Sequence, residues 1–379
     1  MSSRFDLDAA PDTATDTAYM MAAINWGRRN LGATAPNPAV GCVIVRDGVI
    51  IGRGATQAGG RPHAETEAIR DAGEAARGAT LYVSLEPCSH HGVTSPCADA
   101  MVAAGRARVV SAIEDPDRRV AGRGHAKLVE AGIALRTGIA AGAARRLTLG
   151  HILRVTEGRP MVTLKLAETA DGYAAGGEHD PRLMITGAAV NNRVHVMRAM
   201  HDAIMVGVGT VLADDPLMTV RLPGLEGRKP LRIVLDTHLR TPLASRLAAT
   251  AGDWPTLAIA GEGASADAEA ALVAKGVRVE RAPLDAAGHV DLSAALRLLG
   301  KLGLTRVFSE GGPTVAGQLI ERGLADEIVI CTALKPLGRP GVPMLDPASR
   351  AALADEKRYV PLDDGLLGTD RVRHFERRS

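Results

Sequence analysis

The chain has 379 residues, with 45 Lys and Arg against 43 Asp and Glu for a formal net charge of +2, too balanced for a dedicated polyanion binder. Hydrophobic residues make up 46% but aromatic residues only 2%, so the core must be aliphatic, and the stacking platforms of single-stranded nucleic-acid binders are scarce. No run approaches the ~20 apolar residues of a membrane-spanning helix, and the length suits two or three domains of ~100–200 residues.

Residues 1–16 carry Asp6, Asp8, Asp12 and Asp16. They lack the positive start and apolar stretch of a signal peptide and read as a disordered acidic leader. A helix overlaps its end, Thr13 to Leu31, capped by Asp12 or Thr13. After the turn Ala35-Pro36-Asn37-Pro38, two apolar runs, Val40–Val45 and Val49–Gly52, flank Asp47-Gly48, a hairpin signal. A helix opens at Arg61-Pro62 and runs to about Ala76. Then come a strand at Thr80–Leu85, a helix from Pro96 to about Gly105, a strand at Arg108–Ile113, a helix at Gly122–Gly132 and a strand at Ile133–Thr137. Such alternation makes residues 17–150 an α/β domain. Gly158-Arg159-Pro160 breaks the pattern, and residues 160–379 read as a second α/β unit. Its strands are Met161–Ala167, Ala203–Val206, Leu231–Leu235, Thr256–Ile259, Val277–Arg281, Arg306–Ser309 and Glu327–Thr332. Its helices are Ala188–Met200, Ala264–Ala274, Leu292–Leu302 and Thr314–Arg322. The last ~45 residues carry no clear pattern.

Cys42, Cys88, Cys97 and Cys331 are too few for a disulfide framework, which points to a reducing cytoplasm. Cys42 and Cys331 lie in apolar runs and read as core. His63, Cys88 and Cys97 fill three of the four tetrahedral positions of a zinc ion and leave one for a water, whose pKa the metal lowers to about 7. Glu65, two residues after His63, can shuttle protons from that water to a leaving nitrogen. H-x-E followed by P-C and a second Cys is the arrangement of zinc nucleobase deaminases, although the second Cys here comes nine positions after the first rather than three. Ser95 is expected to cap the helix carrying Cys97, with Pro96 at its first position. A closed structural zinc site, with His90, His91 or Glu65 as fourth ligand, is the other reading of this set.

Pro36-Asn37-Pro38-Ala39-Val40-Gly41-Cys42, His63-Ala64-Glu65, Leu85-Glu86-Pro87-Cys88-Ser89-His90, and Asp115-Pro116 followed by Val120-Ala121-Gly122-Arg123-Gly124 resemble the deaminase domain of the bifunctional riboflavin-biosynthesis deaminase/reductases. The nine-residue step between cysteines belongs to that family too. The resemblance implies a cytidine-deaminase-like fold, catalytic Zn2+, and hydrolytic removal of the pyrimidine 2-amino group from a diaminopyrimidinone ribosylamino phosphate. It places Asn37 and His91 against substrate.

In the second half, Gly207-Val208-Gly209-Thr210 follows a strand, but Leu212 stands where a dinucleotide fingerprint has its third glycine. Glu310-Gly311-Gly312-Pro313-Thr314 opens a helix whose N-terminus suits phosphate. Ordinary turn geometry also explains both. Arg198 and Arg221 suit a sugar phosphate; Lys165 or Glu310 suits proton delivery, and a structural ion pair is the other reading of Lys165. Leu164-Lys165-Leu166-Ala167, Asp171-Gly172, Ile185-Thr186, Asp202-Ala203-Ile204, Asp214-Asp215-Pro216, Thr219-x-Arg221, Asp236 and the Glu310–Thr314 turn appear in the order of the same family's reductase domain. That resemblance implies a dihydrofolate-reductase-like fold and NADPH-dependent reduction of the ribosyl group to ribityl. It places Ala167, Met184, Thr210, Asp214, Thr237, Gly312, Pro313, Thr314, Val315, Ala316, Gly317 and Gln318 against NADPH. Arg182, Arg198, Met218, Arg221 and Glu310 fall against substrate, and self-association runs through the reductase domain.

The chain departs from the family at Val93, where a cation is usual, at Asp117 for Asn, at Ala170 for Leu, and at Arg182 and Met184, where Ser and Trp are usual. The altered positions cluster at binding sites of both halves, while the metal ligands and Glu65 are intact. The main expectation is therefore a bifunctional enzyme acting on a small molecule, without nucleic-acid or membrane partners. The alternative is a zinc pyrimidine or nucleotide deaminase with a degenerate or re-targeted reductase domain. A nucleic-acid editing protein and a zinc-stabilised module without catalysis are the readings from other classes.

Overall fold

The computed structural model describes residues 13–90, 95–177, 180, 181 and 183–378. The chain divides between Gly158 and Arg159 into two compact units. Among the described residues no helix is long and apolar enough to cross a membrane.

The first unit contains α1 (Thr13–Arg28), β1 (Gly41–Arg46), β2 (Val49–Ala55), α2 (Ala64–Ala72), β3 (Thr80–Val83), α3 (Cys97–Ala103), β4 (Arg108–Ser111), α4 (Arg123–Glu130), β5 (Ala134–Thr137) and α5 (Ala141–Thr156). Its five-stranded sheet runs β2-β1-β3-β4-β5, with β1 antiparallel to β2 and β3, and β3, β4 and β5 parallel. Asp47 and Gly48 both take positive φ, 49° and 76°, as a tight hairpin turn requires. One sheet face packs Cys42, Ile44, Leu81, Val83 and Val109 against Ala64 and Ala68 of α2, Ala98 and Met101 of α3 and Leu128 of α4. A Cβ on Gly54 would lie 1.9 Å from the Ala64 carbonyl oxygen, so glycine lets β2 press against the first turn of α2.

The end of the expected leader is structured. Thr13–Asp16 form the first turn of α1, because fully buried Asp16 ties that helix to the sheet. Its carboxylate accepts from Arg108 at 2.7 and 2.9 Å, from Arg136 at 2.9 Å and from the Tyr82 hydroxyl at 2.8 Å. Burial works to raise its pKa, but these donors outweigh it and hold the carboxyl below the usual range.

The second unit contains β6 (Met161–Glu168), β7 (Tyr173–Ala175), α6 (Ala188–Ala199), β8 (Ala203–Gly207), α7 (Val208–Asp214), β9 (Leu231–Leu235), α8 (Arg246–Ala249), β10 (Thr256–Gly261), α9 (Ala266–Ala274), β11 (Arg278–Ala282), α10 (Leu292–Lys301), β12 (Arg306–Ser309), α11 (Pro313–Glu321), β13 (Glu327–Thr332), β14 (Val342–Pro343), α12 (Pro347–Ala354), β15 (Tyr359–Leu367) and β16 (Asp370–Arg377). Its nine-stranded sheet runs β11-β10-β9-β8-β12-β6-β13-β16-β15. The first seven in that order are parallel, and β16 and β15 add an antiparallel hairpin. Helices cover both faces. Val162, Leu164 and Leu166 of β6 join α10 and α11 in one core, and Ile204, Val206 and Phe308 join Val190 and Val194 of α6 in another. Chain order steps outward from β8 to β11 and then returns to place β12 between β8 and β6. This reversal is a topological switch point, and open α/β sheets bind ligands outside the carboxyl ends of the strands there, here β8 and β12.

Candidate active sites

Three pieces of backbone build the first site. His63 is the N-cap residue of α2, so Pro62 lies ahead of the helix rather than at its first position. Cys97 is the first residue of α3, with Pro96 as N-cap and no side-chain cap. The expected Ser95 cap is absent because the helix starts one residue later. The Cys97 N–H instead donates to Cys88 Sγ at 3.2 Å, so a free amide of the helix N-terminus faces the loop cysteine. His63 Nδ1 lies 3.3 Å from Cys97 Sγ and 3.6 Å from Cys88 Sγ. Metal bonds of ~2.0 Å to nitrogen and ~2.3 Å to sulfur at tetrahedral angles set N···S at about 3.5 Å, so this donor set fits a zinc ion. Hydrogen bonding from Cys97 and His63 pulls Cys88 down to about 4, while the same contact with Cys88 pushes Cys97 up. His63 is raised, chiefly by Cys88.

Glu65 is 4% exposed in the first turn of α2. Burial, then the neighbouring Cys88 charge, raises its carboxyl to about 7. It stands beside the donor set but outside the group whose ligand atoms converge. Asn37 Nδ2 donates to the Gly60 carbonyl at 2.8 Å and lies 3.5 Å from His63 Nε2, on the ring edge opposite the cysteines. His91 lies outside the described residues, as does Val93. Cys42 and Cys331 are buried in the cores of their units.

In the second unit the two glycine turns meet at the switch point. A Cβ on Gly312 would lie 3.6 Å from Thr210 Oγ1, and one on Gly207 would lie 3.0 Å from Val315 Cγ2. The N-termini of α7 and α11 therefore stand side by side. Gly312, Pro313, Thr314 and Val315 form this turn, but Ala316 is fully buried in the core, and Gly317 packs against Ser349 and Asp346 of α12. Within α11, the 3.6-residue period points the Ala316 side chain into the core. Gln318 is half-buried farther along α11, and Asp214 ends α7. Thr237 follows β9, and its hydroxyl accepts from the Val290 amide at 3.2 Å. Ala167 is half-buried near the end of β6. Met184 is 71% exposed, and Arg182 lies outside the described residues.

Arg198, in the last turn of α6, forms a two-pronged pair with Glu310, Nε to Oε2 at 3.0 Å and Nη2 to Oε1 at 3.1 Å. Its Nη1 donates to the Thr219 carbonyl at 3.0 Å, and Arg221 Nη1 donates to Thr219 Oγ1 at 2.8 Å. Met218, buried with φ of 50°, precedes Thr219. Four expected substrate residues thus converge around Thr219. Ser309 pairs in parallel with Leu164, so Glu310 and Lys165 each follow directly on a paired position. Lys165 shares its face of β6 with Ala167, and Cys331 lies within its electrostatic reach. It has no ion-pair or hydrogen-bond partner among the described residues, unlike a structural ion pair.

Residues 160–359 match the RibD C-terminal domain, and residues 13–113 match the cytidine and deoxycytidylate deaminase zinc-binding region. The riboflavin biosynthesis protein RibD of Escherichia coli strain K12 is 39% identical over 372 residues, 95% of this chain and 99% of that one. Its counterpart from Aquifex aeolicus is 38% identical over 365 residues, 96% and 98% of the two chains. This chain belongs to the RibD family. The solved RibD of Acinetobacter baumannii superposes with a TM-score of 0.83 at 34% identity, covering 97% of this chain and 100% of that one. A diaminohydroxyphosphoribosylaminopyrimidine deaminase/5-amino-6-(5-phosphoribosylamino)uracil reductase from Thermotoga maritima gives 0.82 at 31%, covering 97% and 99%.

One polar contact beside Arg221 in the second unit escapes a reading by motif. His195 Nδ1 accepts from the Arg221 amide at 3.2 Å, and burial, then Arg198 and Arg221, lower its pKa. Its position three residues before Arg198 puts both on one side of α6, the one sequence signal that would have found it.

Proposed function

We propose that the two sites act in succession on one pyrimidine ribosylamino phosphate, the first removing its 2-amino group by hydrolysis and the second reducing its ribosyl group to ribityl. The chain is a bifunctional deaminase and reductase of riboflavin biosynthesis, and it uses Zn2+ and NADPH. The observation that carries the reading is buried Glu65 beside the convergent His63, Cys88 and Cys97 donors.

His63, Cys88 and Cys97 hold zinc, which supplies a Lewis acid and an activated water. Glu65 takes a proton on its carboxylate and returns it to the departing nitrogen, so that water and the aminopyrimidine become the carbonyl form and ammonia. Buried beside the donor set, the carboxyl stands where it can both accept and release a proton. Asn37, on the far edge of the His63 ring, and His91 hold the substrate. In the second unit bound NADPH would supply the hydride for the C1′ carbon of the ring-opened sugar. Lys165 and Glu310 deliver and balance the accompanying proton. Arg198, Met218 and Arg221 hold the substrate, with Arg221 and Arg198 toward its phosphate, and Arg182 adds to this set. Ala167, Met184, Thr210, Asp214, Thr237 and the Gly312–Val315 turn cradle the nucleotide. The enzyme works in the cytoplasm and self-associates through the reductase unit, whose edge strand β15 leaves Leu362 and Leu366 exposed.

Glu65→Gln tests the reading. Ammonia release from the diaminopyrimidinone should fall by about 10²- to 10⁴-fold. One bound zinc and NADPH oxidation on the already deaminated substrate should both persist. An unchanged ammonia rate removes Glu65 from the chemistry, and a chain that holds no zinc removes the metal.

A further inference from the structure

A second cluster in the first unit, Glu86, Glu114 and His125, has ligand atoms close enough to suggest a metal. The hydrogen bonds of Glu86 say otherwise. Glu86 is 3% exposed, and one carboxylate oxygen accepts the Asp115 amide at 3.2 Å and the Gly122 amide at 3.0 Å. The other accepts the amides of Gly124 at 2.9 Å and His125 at 3.3 Å. Four backbone donors occupy the lone pairs a metal would need. Three of them come from Gly122 and the first turn of α4, whose N-cap has no side-chain cap of its own. A carboxylate from another segment therefore caps α4, and the helix dipole favours its charge.

Glu86 stands two residues before Cys88. The contact is reinforced through Gly124, where a Cβ would lie 2.0 Å from the Pro87 carbonyl oxygen, so the helix start and the cysteine loop touch backbone to backbone. The bracing continues outward. Asp115, whose amide Glu86 holds, accepts from the Asp117 amide at 2.9 Å, and its Oδ1 lies 3.0 Å from His151 Nε2 of α5.

We propose that Glu86 is a positioning residue for the metal site: by capping α4 it fixes the Pro87-Cys88 loop, and so the Cys88 sulfur, at bonding distance from zinc. The inference rests on the zinc reading above. Groups that orient metal ligands typically change metal affinity 10- to 100-fold when removed. Glutamine has the size of Glu86 but turns one acceptor oxygen into a donor amide, setting it against the α4 amides.

The test uses the full-length chain carrying Glu86→Gln or, separately, Gly124→Ala, which keeps the carboxylate and displaces the loop. Zinc retention is titrated with a chelator, the kcat and KM of ammonia release are measured, and unit-one folding is followed by far-UV circular dichroism. Reduction of the deaminated substrate in the same chain is the internal control. Both variants should lose zinc at 10- to 100-fold lower chelator and drop in kcat, with the fold and the reductase rate kept. Wild-type zinc retention in Glu86→Gln overturns the proposal while leaving the zinc reading standing. Unfolding of the first unit by Glu86→Gln also overturns it, because the carboxylate then holds the fold rather than the metal. A wild-type chain without zinc fails both.

Discussion

The two candidate sites are made from different parts of the polypeptide. In the first unit, chemistry rests on side chains: two sulfurs lie within 3.6 Å of one imidazole nitrogen, with a buried carboxyl beside them. In the second, the floor of the candidate site is main chain: two glycine turns at the switch point, with side chains arranged around it as pairs such as Arg198 and Glu310. A metal-donor site depends on a few atoms of fixed type, whereas a nucleotide crevice depends on how closely backbone can approach a ligand. The first should therefore fail when one atom changes, and the second when one methyl group is added.

The largest effect that would test this contrast is at Lys165, the one expected catalytic side chain of the second unit without a pairing partner among the described residues. Lys165→Met keeps length and removes the ammonium. NADPH oxidation should drop by about 10²-fold or more while ammonia release is unchanged. Thermal stability of the second unit should hold or rise, since an unpaired half-buried cation gives way to an apolar isostere. A fall in stability with intact reduction would make Lys165 a structural charge and leave the reductase site to its backbone.

A smaller effect isolates the backbone. A Cβ on Gly311 would sit 2.8 Å from Val315 Cβ, so Gly311→Ala must shift the start of α11. The KM for NADPH should rise about tenfold, equivalent to ~1.4 kcal/mol, with kcat for ammonia release untouched. An unaltered KM would mean that this turn does not shape the cofactor site.

The same difference explains what could be read without coordinates. His63, Glu65, Cys88 and Cys97 are legible because few roles use those residue types at those spacings. The Asp47-Gly48 hairpin and the parallel strands of the second unit follow from alternation and apolar runs. The helix α5 escaped notice because Arg145-Arg146 and buried Thr148 and His151 break its apolar stripe. The β15–β16 hairpin is charged, with β15 largely exposed and β16 almost uniformly half-buried, so it offers no period-2 contrast. Asp16 looked like part of an acidic tail because its partners, Tyr82, Arg108 and Arg136, lie far along the chain. The burial of Ala316 was not legible, because it depends on where α11 begins. Glu86 could be read as part of a motif, but not as the cap of a helix that begins at Arg123.

The smallest effect lies at Met184, where the side chain is 71% exposed and the resemblance led to the expectation of Trp. A thioether at that position is flexible and pays entropy on contact. An indole offers a large rigid face, worth about 0.5–1.5 kcal/mol where rings stack. Met184→Trp should therefore tighten NADPH by about two- to tenfold, read as a lower KM and as quenching of the added fluorophore on titration, with ammonia release unaffected. Because the change adds surface without touching the glycine turns, it separates two ways of building a nucleotide site. Tighter binding would mean that this chain holds its cofactor with less side-chain contact than the fold allows. Unchanged KM and no quenching would place the loop of Met184 away from the nucleotide and leave the glycine turns and Thr210 to hold it.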